Sequence, residues 1–181
     1  MQSIQTVSEN TIYVGASDRR LAKFENLFPI PRGVSYNAYV ILDEKTALLD
    51  TADASVGAQF LENVAAALDG RKLDYLIVDH MEPDHAAMIE AVLVRWPDLR
   101  LVVNAKALPM LKMYFPTDSA AIDDALVVKE GDTLDLGKHK LTFVMAPMVH
   151  WPEVMMTFDT TTGTPVSYTH LRAHETRSNL V

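Results

Sequence analysis

Residues 80–85 read His-Met-Glu-Pro-Asp-His and place four metal-ligand types, His80, Glu82, Asp84 and His85, within six positions. Imidazole and carboxylate together suit first-row metals, iron in particular. A solvated strand-to-helix turn with Asp84 as helix cap accounts for one such residue more easily than for four. His150 is the fifth candidate, following residues 141–145 through Ala146-Pro147-Met148-Val149 and preceding Trp151-Pro152. Alone, a histidine beside tryptophan reads as structural; beside the first cluster it reads as a ligand delivered from a neighbouring strand. Asp50, at the end of Ala47-Leu48-Leu49, reads either as a turn cap or as a carboxylate that orients a ligand from behind. His139, between Lys138 and Lys140 in a glycine-containing turn, is expected to face solvent.

Such a cluster needs a scaffold to aim it. Residues 73–78, Leu-Asp-Tyr-Leu-Ile-Val, read as a buried strand ending just before the motif. His80, Glu82 and Asp84 have the i, i+2, i+4 spacing that puts side chains on one side of an extended chain. Open α/β sheets place ligands at the carboxyl ends of their strands. Pro83 suits the start of a following helix, which is expected to open at Asp84 or His85 and run to about Trp96, before Pro97. Asp84 and His85 are adjacent, so their side chains are expected to diverge, which would let one cluster serve two metal ions.

The flanking pattern supplies the rest of the frame. Residues 11–16 read as a first strand, 24–33 as irregular around Pro29, Pro31 and Gly33, and 35–42 with 46–50 as a hairpin about Asp43-Glu44-Lys45. Ser55 is a candidate cap for a helix to Leu68, in which Phe60, Leu61, Val64 and Leu68 recur at helical spacing and Asp69-Gly70 is the stop. Strand 99–103 and a short helix over 105–114 follow. Residues 125–128, 133–136 and 141–146 read as a meander, and 154–158 as a last strand. Strands alternating with helices give an α/β class, and the hairpins make its sheet mixed.

With 181 residues, about half of them apolar, the chain can build one domain with a sizeable core. A formal charge of −8 argues against nucleic acid, which wants a basic face. No run of eighteen apolar residues predicts a membrane span, and the start lacks the basic and apolar regions of a signal peptide. The absence of cysteine excludes disulfides, thiolate nucleophiles and zinc–thiolate sites, and fits a cytoplasmic protein.

Residues 166–176, Val-Ser-Tyr-Thr-His-Leu-Arg-Ala-His-Glu-Thr, have no clear period. They resemble the translation of a transposase-type sequencing-library adapter, and Asn179-Leu180-Val181 fits the constant bases beyond its index. Residues 165–181 are therefore expected to be foreign to the natural chain, which would continue past Pro165. On this reading His170 and His174 are not ligands, although their i, i+4 spacing invites it.

The pattern His-x-Glu-x-Asp-His at 80–85, with Asp50 upstream and His150-Trp151-Pro152 downstream, resembles the metallo-β-lactamase-like domain of flavodiiron proteins. Residues 24–37, Phe-Glu-Asn-Leu-Phe-Pro-Ile-Pro-Arg-Gly-Val-Ser-Tyr-Asn, are also typical of that family. The resemblance covers residues 1–164, read as the N-terminal part of such a domain. Hydrolytic relatives carry His-x-His-x-Asp-His; Glu82 stands where their second histidine would be, and the extra carboxylate moves the site from zinc towards iron.

The resemblance implies a four-layer αββα sandwich, truncated here so that much of the second half is missing. It implies two iron ions, one held by His80, Glu82 and His150 and the other by Asp84 and His85. A bridging aspartate and a final histidine are also required; Asp159 falls too early to be the bridge. The implied parent reduces O₂ to water, NO to N₂O, or both. Coupling two NO takes two electrons, whereas O₂ takes four, so an FMN on a following flavodoxin-like domain must sit close by. The family implies a homodimer, or a homotetramer of head-to-tail dimers, fed by a rubredoxin-like or flavin-reductase donor. Trp151 would lie near that flavin or in the core. The fragment itself is expected to bind metal weakly and to lack reductase activity. The alternatives are a metal-dependent hydrolase of the metallo-β-lactamase superfamily and a non-enzymatic remnant.

Overall fold

Alternation along the central strands decides the layering. Val40, Leu48, Leu76, Leu101 and Val103 are buried on one face, and Ile41, Ala47, Leu49, Ile77 and Val102 on the other. A strand turns successive side chains to opposite faces, so a sheet apolar on both must be covered on both. The computed structural model, which describes residues 3–24, 27–115 and 120–166, has that arrangement. Among these residues a seven-stranded sheet runs in the order Gln5–Ser8, Thr11–Tyr13, Tyr39–Leu42, Thr46–Leu49, Tyr75–Ile77, Arg100–Asn104, Leu126–Val128. A four-stranded antiparallel sheet, Thr133–Asp135, Lys140–Met145, Met155–Asp159 and Thr164–Pro165, contributes Leu134, Leu141, Phe143 and Met155 to the core on its second face.

Helices cover the first face. Phe60, Val64 and Leu68 of Gly57–Leu68, Ile89 and Val92 of Ile89–Arg95, and Leu111 of Ala107–Tyr114 join that core. Burying an aliphatic or aromatic side chain of this size contributes ~1.5–3 kcal/mol. Helices, large sheet and small sheet form the expected mixed α/β sandwich. No helix among the described residues is long and apolar enough to cross a membrane. His170 and His174 lie outside the described residues.

Strand direction prepares the site. The sheet is antiparallel up to Thr46–Leu49 and parallel from there to Leu126–Val128. Asp50, the 78–80 segment and Asn104 therefore stand at the carboxyl ends of three neighbouring parallel strands, where α/β sheets bind ligands.

Several local expectations are corrected. Residues 125–128 are not part of the meander; Leu126–Val128 pairs parallel to Arg100–Asn104 in the large sheet. The first strand breaks after Tyr13, and Ala16–Asp18 pairs instead with Val34–Tyr36. Within the supposedly irregular segment, Lys23–Phe24 pairs with Phe28–Pro29. Ser55 does not cap its helix. Asp53 caps the 3₁₀ turn that precedes it, Ala54–Val56, its Oδ1 accepting from the Ser55 N–H at 2.8 Å, while the α-helix itself starts after Val56 with no side-chain cap.

The helix expected to reach Trp96 without a break is in two pieces, Pro83–Ala86 and Ile89–Arg95. Thr51 explains the gap. Its N–H and its hydroxyl both donate to the His85 carbonyl, at 2.8 and 2.6 Å, and the Met88 N–H donates to the Thr51 hydroxyl at 3.3 Å. A side chain inserted into the i→i−4 ladder interrupts it, and here the interruption holds His85 against the end of the Thr46–Leu49 strand.

Gly15 is required by contact. A Cβ there would lie 2.0 Å from the Tyr36 carbonyl oxygen, and the Gly15 carbonyl accepts from the buried Asn63 amide at 2.8 Å. Gly15→Ala is expected to cost about 1–3 kcal/mol, the usual range for overpacking, read as a lower midpoint in urea with an unchanged slope.

Candidate metal centre

Three side chains converge on one point. Glu82 Oε2 lies 3.0 Å from His80 Nε2 and 2.7 Å from His150 Nε2. Donor atoms of the three residues all fall within 4.8 Å of one another. The other two candidates adjoin this group. The His80 and His85 rings stand 5.2 Å apart, centroid to centroid, and His85 Nε2 lies 3.7 Å from Asp84 Oδ2. The expected divergence of Asp84 and His85 is thus corrected: the imidazole reaches far enough to return to its neighbour's carboxylate.

The convergence does not come from an extended chain. The strand ends at Ile77, and Glu82 is the last extended residue before the Pro83–Ala86 turn of helix, with Pro83 at the start as its fixed φ favours. The turn, rather than strand alternation, gathers Asp84 and His85 beside His80. His150 arrives from the other sheet, on the loop joining Lys140–Met145 to Met155–Asp159. It has φ of 85°, and Met148 has φ of 65°; a non-glycine residue held there costs of order 1–3 kcal/mol. Backbone hydrogen bonds from Met148 to Trp151 and from Ala146 to Val154 close the loop around it.

Each buried imidazole has a carboxylate behind it. Asp50 Oδ2 is 2.9 Å from His85 Nδ1, as its reading as an orienting group anticipates, while Asp50 Oδ1 accepts from the Asp79 N–H at 2.8 Å. Glu153 Oε1 is 2.8 Å from His80 Nδ1 and accepts from the Met81 N–H at 3.1 Å. With Nδ1–H donated to a carboxylate, Nε2 is the nitrogen turned towards a metal. Trp151 packs edge-on against His80 at 5.3 Å and also contacts His150, so it belongs to the wall of the site.

Below the cluster, the carboxylate of the buried Asp79 accepts from the Thr157 hydroxyl at 2.8 Å and the Thr157 N–H at 3.3 Å, and its carbonyl accepts from the Met155 N–H. This stitches the two sheets together at the site. The sequence reading missed Asp79 and Glu153. Both are acids inside otherwise apolar runs, Asp79 next to His80 and Glu153 three residues after His150.

The electrostatics call for a cation. Asp50, Asp79, Glu82, Asp84 and Glu153 are all buried around three imidazoles. Burial and the neighbouring Asp50 push the Asp79 carboxyl well above its ordinary value. Burial pulls the His80 imidazole down, but hydrogen bonds to Glu153 and Glu82 outweigh it and raise it to about 9. His85 is likewise raised, with Asp50 and Asp84 overcoming burial. The raised imidazoles pair with part of this buried negative charge, and a divalent ion bound among the same donors would replace their protons as the counter-charge. A donor set of imidazole and carboxylate without thiolate fits iron.

His139 departs from its expected place. It is buried, with Nδ1 2.8 Å from Asp159 Oδ2 and its N–H donated to Asp43 Oδ2 at 2.6 Å. Asp159 is thus engaged at the far end of its strand, four residues or about 13 Å from Met155, and does not join the cluster.

A sequence model described as ODP family beta lactamase matches residues 34–168. The chain belongs to this family. Its matched part belongs to the metallo-β-lactamase-like domain of flavodiiron proteins. The nitric oxide reductase of Moorella thermoacetica is 37% identical over 154 residues, which are 84% of this chain and 38% of that protein. The rubredoxin oxygen:oxidoreductase of Desulfovibrio gigas superposes with a TM-score of 0.80 at 31% identity, over 87% of this chain and 38% of that one. The flavodiiron protein of Giardia intestinalis gives a TM-score of 0.80 at 26% identity, over 88% of this chain and 38% of that one. The flavodiiron domain described here therefore spans about two fifths of the length of these relatives.

Proposed function

We propose that this chain carries the metal-binding part of a flavodiiron reductase acting on O₂, NO or both. The observation that carries the reading is the convergence of His80, Glu82 and His150, with Asp84 and His85 alongside, at the carboxyl edge of the sheet. His80, Glu82 and His150 would hold one iron, and Asp84 and His85 would contribute to a second. Iron held by these residues would supply electrons for reducing a diatomic substrate. The chain's own residues prepare that chemistry: Asp50 orients His85, Thr51 fixes the His85 backbone, and Trp151 packs against His80 and keeps water from that edge. Glu82, in place of a histidine, favours iron over zinc.

The longer protein would add an FMN domain, pair head to tail so that one subunit's flavin meets the other's iron, and take electrons from a rubredoxin-like or flavin-reductase donor in the cytoplasm. Residues 165–181 are proposed to be adapter-encoded.

Anaerobic titration of the 181-residue chain with ferrous iron, followed by Mössbauer spectroscopy, tests the reading. It should bind one iron per chain more tightly than a second, because the second position has only Asp84 and His85 among the described residues, and it should reduce neither NO nor O₂. Stoichiometric tight binding of two irons would contradict the unequal positions. Preference for zinc together with ester or lactam hydrolysis would replace the reductase with a hydrolase.

A further inference from the structure

We propose that Glu153 is the positioning residue that sets the tautomer and aim of His80 and thereby governs loading of the first metal position. This rests on the metal-centre reading above and extends it to a residue outside the ligand motif.

Three observations carry it. Glu153 Oε1 takes two donors at once, His80 Nδ1–H at 2.8 Å and the Met81 N–H at 3.1 Å, so it grips both the ring and the backbone beside it. The Glu153 backbone is itself held from the large sheet: the Asn104 side-chain amide donates to its carbonyl, while Asn104 Oδ1 accepts from the Lys106 and Ala107 N–H groups at 2.9 and 3.0 Å. The carboxylate is completely buried, and its Oε2 has no hydrogen-bond partner among the described residues. A buried carboxylate oxygen left unpaired is costly. A residue serving packing alone would be better apolar, whereas a carboxylate behind a ligating imidazole fixes its tautomer and raises its basicity.

The arrangement also joins the two halves of the site. Glu153 lies three residues after His150 on the same loop, yet its side chain fixes His80 on the other sheet. One short segment thus delivers one ligand directly and orients a second. His85, by contrast, is oriented from its own sheet by Asp50.

The test compares the 181-residue chain with Glu153→Gln, which keeps an acceptor of the same shape, and Glu153→Ala, which removes it. The first readout needs no metal: long-range ¹H–¹⁵N spectra of the apo chain in alkaline buffer, where the ring is neutral, report which His80 nitrogen carries the proton. Nδ1–H is expected to be populated in the parent and in Glu153→Gln, and to give way to Nε2–H, held by Glu82 Oε2 at 3.0 Å, in Glu153→Ala. The second readout is titration with Co(II), followed by its visible ligand-field bands. Affinity is expected to fall by about 10–100-fold in Glu153→Ala, with altered bands, and to be largely restored in Glu153→Gln. An unchanged His80 tautomer in Glu153→Ala overturns the proposal, as does equal Co(II) affinity in parent and Glu153→Ala. If the parent binds no Co(II), the metal-centre reading and the governance of loading both fall, and the tautomer spectra still decide whether Glu153 sets His80.

Discussion

Glu82→Ala is expected to weaken metal binding by more than about 100-fold, beyond what loss of an orienting residue behind a ligand costs. Glu82 Oε2 is the atom that both His80 Nε2 and His150 Nε2 approach, so its removal deletes the centre of the donor set and leaves two imidazoles facing a gap. The fold should survive, because the backbone around Glu82 is held independently: its carbonyl accepts from the His85 and Ala86 N–H groups, both at 2.9 Å. Glu82→His separates charge from coordination number. It restores a third donor but removes the extra carboxylate, and so should shift the competition between Fe(II) and Zn(II) towards zinc. Equilibrium dialysis against both metals, read by elemental analysis, measures each effect. Undiminished iron binding by Glu82→Ala would remove Glu82 from the ligand set.

How far this site could be read in advance depended on sequence separation. His80, Glu82, Asp84 and His85 are neighbours in the chain, and their residue types alone announced a metal. Their geometry was less legible. Alternation put His80, Glu82 and Asp84 on one side of a strand, but the strand stops at Ile77 and a proline-initiated turn does the gathering. Glu153 and Asp79 acquire meaning only when the small sheet folds over the large one, bringing together groups more than seventy positions apart.

The same limit explains His139. Flanked by two lysines after a glycine, it had every local mark of a solvent-facing turn, yet its partner Asp43 is 96 residues away. Layering was easier, because successive residues such as Leu48 and Leu49 are both apolar and require cover on both faces. Strand order was harder. Nothing local to residues 126–128 distinguishes a parallel edge strand from the first strand of a meander.

That misread histidine leads to the second large effect. At the opposite end of the sandwich from the metal centre, His139 Nδ1 meets Asp159 Oδ2, and the His139 N–H meets Asp43 in the turn of the Tyr39–Leu42/Thr46–Leu49 hairpin. The Lys45 N–H donates to the Leu136 carbonyl at 3.0 Å beside it. Asp159 also accepts from the Thr161 N–H and the Thr162 hydroxyl at 2.9 and 2.8 Å. This cluster fastens the small sheet to the large one where Asp79 cannot reach. Asp159→Ala leaves the buried His139 ring without its hydrogen-bond partner and is expected to cost about 1–3 kcal/mol, measured by urea unfolding near neutral pH. The loss should shrink in acid. Burial raises the Asp43 and Asp159 carboxyls, but hydrogen bonds from His139 and its neighbours outweigh it and hold both below the ordinary value. A carboxyl with a lowered folded pKa adds stability above its unfolded value of about 3.9, and that stability is lost as pH falls through the folded value. The parent should therefore lose stability below about pH 4 more steeply than Asp159→Ala, and the two unfolding curves should converge there. Parallel curves across that range would mean that Asp159 holds the sheets by packing rather than by its charge.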